Sequence, residues 1–160
     1  MLVIKKFYIL LSILILSFSS SVHSDELKIG HGKFSEGTER FENDMSEITY
    51  VYDNKSLPYG LTPIAGALKH SSAFMIYGGV QKKFTHNRFS LIPSFAPGFY
   101  DHGTEKDLGG ELQFKSQIEF SVELFADYSF SYAWSHISNA DIYDSNPGAD
   151  NEMFFITKKF

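Results

Sequence analysis

The sequence predicts an all-β protein, an eight-stranded antiparallel transmembrane β-barrel over residues 25–160 behind a signal peptide over residues 1–24. Three observations point there. The chain carries 16 Phe and 9 Tyr among 160 residues, and these recur at period two, the spacing of one face of a strand, rather than at helical spacing. Eight such runs are separated by connections that alternate long and short. The last residue is aromatic, Phe160, as in many bacterial membrane barrels, where it addresses the chain to the barrel assembly machinery.

The N-terminus has the three parts of an export signal: Lys5-Lys6, the apolar run Phe7 to Phe18, and Val22-His23-Ser24 before Asp25-Glu26. The run is too short for a good spanning helix. Strand-like runs then follow at Leu27 to Phe34, Met45 to Tyr52, Leu61 to Lys69 and Phe74 to Phe84. The first is weakened by Gly30 and Gly32, and the second is ended by the turn residues Asp53 to Pro58. The fifth run, from Phe89 to Phe99, alternates cleanly, but Pro93 and Pro97 cannot donate to a ladder, so a bend or imperfect pairing is expected there. From Leu112 to Leu124 an oily face alternates with a file of charges and amides, among them Lys115, Glu119 and Glu123. Ala126-Asp127 turns into a strand carrying Phe130 to Ser138, and a last strand runs from about Asn151 to Phe160.

Alternation alone does not separate a membrane barrel from a soluble one, because the two differ only in which face is inside. The export signal and the alternation of loop length decide for the membrane. Loops at 35–44, 70–73, 101–110 and 139–150 lie on one side and turns at 53–60, 85–88 and 126–127 on the other. Long outside and short inside is the asymmetry of outer-membrane barrels. Lys115, Glu119 and Glu123 then fill the lumen, where they need partners, and the aromatic faces meet lipid. A net charge of −5 offers no basic footprint for nucleic acid, and the absence of cysteine excludes disulfides and thiolate metal sites.

The seventh strand is chemically the most informative. Phe130, Tyr132, Trp134, His136 and Ser138 share one face, while Ser129, Ser131, Ala133 and Ser135 share the other. His136 and Ser138 are side by side, a base next to a hydroxyl it can activate, at the end of an outward-running strand and facing lipid. Ser135, the rival hydroxyl, points to the lumen.

His136-Ile137-Ser138-Asn139-Ala140 followed by Asn146-Pro147-Gly148 and Asp150 resembles the signature of the lipid A 3-O-deacylase (PagL) family of outer-membrane esterases. Weaker similarity runs through Pro93-Ser94-Phe95, Gly98-Phe99-Tyr100, Lys106 to Gly109 and Phe114-Lys115-Ser116. The resemblance implies hydrolysis of the ester-linked 3-position acyl chain of lipopolysaccharide, with Ser138 as nucleophile, His136 as base and Asp150 as the orienting acid. Glutamate is usual at that last position, and Glu152 is its less favoured substitute. Asn139 and Asn146 are implied as oxyanion or substrate-positioning groups, and Asp141 stands where the family often has glycine. No metal or cofactor is implied. The expected partners are lipid A and outer-membrane lipids of a Gram-negative cell, and a homodimer is compatible with the fold. His31, His70, His86 and His102 read as loop or rim residues, and Lys69 and Lys106 as outward cations near lipid A phosphates. Two other readings compete: an inactive structural or adhesive small outer-membrane barrel that keeps the motif, and a secreted soluble barrel with an apolar interior.

Overall fold

The computed structural model describes residues 25–35, 43–53, 55 and 57–160; the expected signal peptide lies outside them. Nine strands follow in order: β1 (Glu26–Ser35), β2 (Asn43–Val51), β3 (Thr62–His70), β4 (Ala73–Gln81), β5 (Phe84–His86), β6 (Phe89–Asp101), β7 (Leu112–Phe125), β8 (Tyr128–Ser138) and β9 (Ala149–Lys159). All ladders are antiparallel, β1 pairs with β9, and β4 pairs with β6, so the sheet closes on itself. The short β5 continues β4 after a break at Lys82-Lys83, and both line the same edge of β6, which leaves eight staves. The expected single strand from Phe74 to Phe84 is therefore interrupted. The break puts Lys83 in reach of Glu26, 2.5 Å away and buried.

The two prolines of β6 are accommodated differently on its two edges. Toward β7 the register is unbroken, with Pro93 opposite Ile118 and Pro97 opposite Phe114. Toward β4 the ladder lapses between Tyr77–Gly98 and Val80–Phe95, around Pro97, which has no N–H to give. Gly30, expected to weaken β1, has a packing reason: a Cβ there would lie 2.4 Å from the Phe155 ring.

Parity places charges inside. Lys28 donates to Glu119 at 2.8 Å and to Gln81 at 3.1 Å, and Ser131 also donates to Glu119 at 2.8 Å. Lys115 pairs with Glu47, which also accepts from Tyr77 at 2.5 Å. All these groups are buried. An unpaired charge in that interior would be strongly destabilising, so the interlocked pairs allow this polar filling. Glu123, expected to join them, is instead exposed at the short-turn rim, where β7 outruns the plug. At the opposite end Phe34 stacks on His70 at 3.7 Å, and Met45, Leu68, Met75 and Leu108 close the interior. His70 is thus a buried member of the wall rather than a loop residue. The outer surface exposes Ile48, Phe95, Phe99, Ile118, Phe120, Trp134, Phe154 and Ile156, an apolar belt for lipid.

Candidate active site

β8 delivers its side chains as alternation requires. Ser131, Ala133, Ser135 and Ile137 are buried in the barrel, while Trp134, His136 and Ser138 face outward. Ser135 is held inside by Asn151, whose Nδ2 donates to its Oγ at 3.1 Å. On the outer face His136 lies directly across the ladder from Asp150. Its Nδ1–H donates to Asp150 Oδ1 at 2.8 Å. The carboxylate accepts only, so this bond leaves Nε2 as the basic nitrogen. The two side chains are 44% and 45% exposed, a half-wet site at the barrel surface. Cross-strand neighbours have Cβ atoms about 4.5–5.5 Å apart, which suits the short arm of aspartate. Glu152, the alternative acid, faces Trp134 one rung away.

Ser138 ends β8 beside His136 and opposite Phe114. Among the described residues its hydroxyl makes no hydrogen bond. Gly148 closes the other side of the imidazole with φ of 64°, and a Cβ there would stand 3.0 Å from His136 Cε1 and 3.3 Å from Nε2. Only glycine both fits that gap and adopts that backbone without strain.

The turn after Ser138 is tightly held. Asn139 is fully buried, and its Nδ2 donates to Leu108 O at 3.1 Å and Ser145 O at 2.7 Å. Its backbone N–H donates to Asn146 Oδ1 at 3.0 Å, and Asn146 Nδ2 donates to Asp141 Oδ1 at 2.8 Å. Ala140 and Asp141 both have left-handed backbones, φ 53° and 59°. The two asparagines thus clasp the loops at 102–111 and 139–148 over the barrel end, and all the Asn139 donors are engaged there. This clasp role, with Leu108 as its far side, was missed in the sequence; the Gly109-Gly110 pair was its visible trace, since a Cβ on Gly109 would lie 1.8 Å from Ser145 O. Lys69 sits exposed on the outer face of β3, and Lys106 is exposed in the loop before β7. Among the described residues no group of three or more His, Asp or Glu is placed to hold a metal ion.

The profile of the lipid A 3-O-deacylase (PagL) family matches residues 27–158, nearly all of the described barrel. The chain belongs to this family. Among solved structures it is similar to the outer membrane enzyme PagL at 16% identity, with 84% of this chain and 99% of that one covered and a TM-score of 0.67. It is also similar to Neisserial surface protein A at 11% identity, covering 88% and 98%, with a TM-score of 0.57. At these identities both establish the closed barrel alone. No curated protein sequence matches. Within the PagL family frame, the histidine, serine and acid that the sequence singled out lie together on the outer face of β8 and β9.

Proposed function

We propose that this barrel is a serine esterase of the Gram-negative outer membrane that removes the 3-position acyl chain of lipid A. The observation that carries it is the His136–Asp150 hydrogen bond beside Ser138 on the lipid-facing side of the wall. Ser138 attacks the ester carbonyl as His136 Nε2 takes its proton; Asp150 holds the tautomer and stabilises the imidazolium. Collapse of the tetrahedral intermediate returns the proton to the sugar oxygen and leaves an acyl-enzyme, which water hydrolyses with the same base. The turn clasped by Asn139 and Asn146 positions the nucleophile, and the Asn146 amide supports the oxyanion once freed from Asp141. Trp134 and Tyr132, below the pair, lie along the acyl chains. Assembly through Phe160 and export by the first 24 residues belong to the same reading.

The engagement of the Asn139 and Asn146 donors favours one rival, an inactive barrel that keeps the motif. Mass spectrometry of lipid A from Gram-negative cells expressing the intact chain or its Ser138→Ala form separates the two. Loss of one 3-hydroxyacyl chain only with the intact protein is expected. Unchanged lipid A with a folded barrel in the outer membrane would favour the inactive one.

A further inference from the structure

Two unlike flanks meet at His136 and Ser138. Toward β7, β6 and β4 the outward neighbours are apolar: Phe114 faces Ser138, Pro97 faces Phe114, and Phe99 and Ile76 follow, 63% and 52% exposed. Toward β9, β1, β2 and β3 they are polar apart from Phe154. The rung through Trp134 continues to Glu152, Lys33 and Asp44, and the rung through Tyr132 and Phe154 continues to His31, Ser46 and Lys69.

Barrel tilt raises this second set to the height of the site. Followed round through β1, β2, β3, β4, β6, β7, β8 and β9, the register returns to β1 nearer its long-loop end. Rungs therefore climb in that direction, and Lys33, His31, Ser46 and Lys69 come level with His136. They also keep to the outer surface. Lys33 Nζ lies 2.6 Å from Asp44 Oδ1, His31 Nδ1 lies 3.3 Å from Ser46 Oγ, and His31 and Asp44 are 70% and 68% exposed. Charges facing hydrocarbon are costly at mid-depth and tolerated near the interface. The edge of the apolar belt must drop on this flank, while on the other it climbs past Phe99 to Phe74.

We propose that the flank of His31, Lys33, Ser46 and Lys69 seats the phosphorylated sugar head of the lipid whose ester lies at Ser138. Its acyl chain then runs down the opposite wall over Phe114, Phe95 and Ile118. This rests on the esterase reading above. Lys33 and Lys69 donate to phosphate oxygens, Asp44 and Ser46 accept from sugar hydroxyls, and the ester falls where the flanks join. These are positioning residues that act on binding.

The chain has no cysteine, so single labels are unambiguous. Spin labels at Ser46→Cys and Ile76→Cys, in phosphatidylcholine vesicles, are compared for collision with oxygen and with a water-soluble nickel chelate. Position 46 is expected to favour nickel and position 76 oxygen; oxygen-dominated collision at both overturns the proposal. The Lys33→Ala/Lys69→Ala variant is then assayed on bis-phosphorylated lipid A and on a p-nitrophenyl fatty ester that carries no phosphate. A KM raised about tenfold for lipid A, about 1.4 kcal/mol, with the nitrophenyl ester unaffected is expected. An unchanged KM, or equal loss on both substrates, overturns the proposal. Failure of the unaltered protein on both substrates sinks the esterase reading instead, and this subsite with it.

Discussion

Removing the carboxylate of Asp150 tests the site most directly, because its single link to the chemistry is one hydrogen bond of 2.8 Å to His136 Nδ1. A hydrogen bond to a charged group contributes about 1.5–3 kcal/mol and one between neutral groups about 0.5–1.5 kcal/mol. Asp150→Asn keeps an acceptor for Nδ1–H but loses the charge, so about 1–1.5 kcal/mol of support for the imidazolium disappears. At 1.36 kcal/mol per decade that is roughly a tenfold loss of kcat. Asp150→Ala removes the acceptor and frees the ring, so the whole of about 1.5–3 kcal/mol is at stake and the loss grows to about 10- to 150-fold, with half-exposure of the pair keeping it toward the lower figure. Ser138→Ala is expected to leave no acyl-enzyme route at all. The assay is release of fatty acid from purified lipid A by the refolded barrel in detergent, with gel mobility before and after heating to show that each variant is folded. Wild-type turnover in Asp150→Ala, or a larger loss in Glu152→Ala, would refute the assignment of the orienting acid.

Three further outcomes follow from neighbouring geometry. Gly148→Ala is expected to depress kcat at least tenfold in the same assay without unfolding the barrel, since its Cβ would press on the His136 ring at 3.0 Å and its φ is 64°. In the lumen, Glu47→Ala leaves the buried Lys115 without its counter-charge and is expected to cost about 3–5 kcal/mol in urea unfolding, whereas Glu47→Leu with Lys115→Met costs much less. Trp134, the one tryptophan, faces outward just below the site, so bromine on the upper acyl chain of outer-facing lipids is expected to quench its fluorescence, and aqueous iodide is not.

What could be read in advance follows from the period of two. A strand residue has only two faces to choose from, so the positions of Ser135 in the lumen and Ser138 outside were legible from parity alone. The proximity of Asp150 to His136 was not, because it depends on the β8–β9 register, and that is set by where an eleven-residue strand starts after the long loop. The sequence left open whether aspartate is long enough; direct opposition across the ladder answers it. Parity also carried Lys115 and Glu119 inside but overextended to Glu123, since alternation does not record where the plug ends. Asn139 shows the other limit. Read as a motif residue beside the nucleophile, it was given donors for substrate, yet its odd position sends its amide inward to Leu108 and Ser145.

Asp141 is where the loop's stability and the site's chemistry pull apart. Its left-handed backbone is unfavourable for a residue with a side chain, and its carboxylate accepts the Asn146 amide at 2.8 Å on an exposed surface. Asp141→Gly removes the strain and the tether together. Asn146 still accepts the Asn139 N–H through Oδ1, so the turn stays closed while Nδ2 becomes free to rotate toward the carbonyl that Ser138 attacks in the proposed reaction. A single donor to an oxyanion is worth about 10²–10³ in rate when fully preorganised. A newly freed, solvent-exposed amide delivers only part of that, so kcat is expected to rise several-fold with KM unchanged. Asp141→Asn, which keeps an acceptor but not the charge, should fall between. A fall in kcat for Asp141→Gly in a barrel of unchanged stability would show that the carboxylate holds Asn146 in its working position and that the oxyanion's donors lie elsewhere.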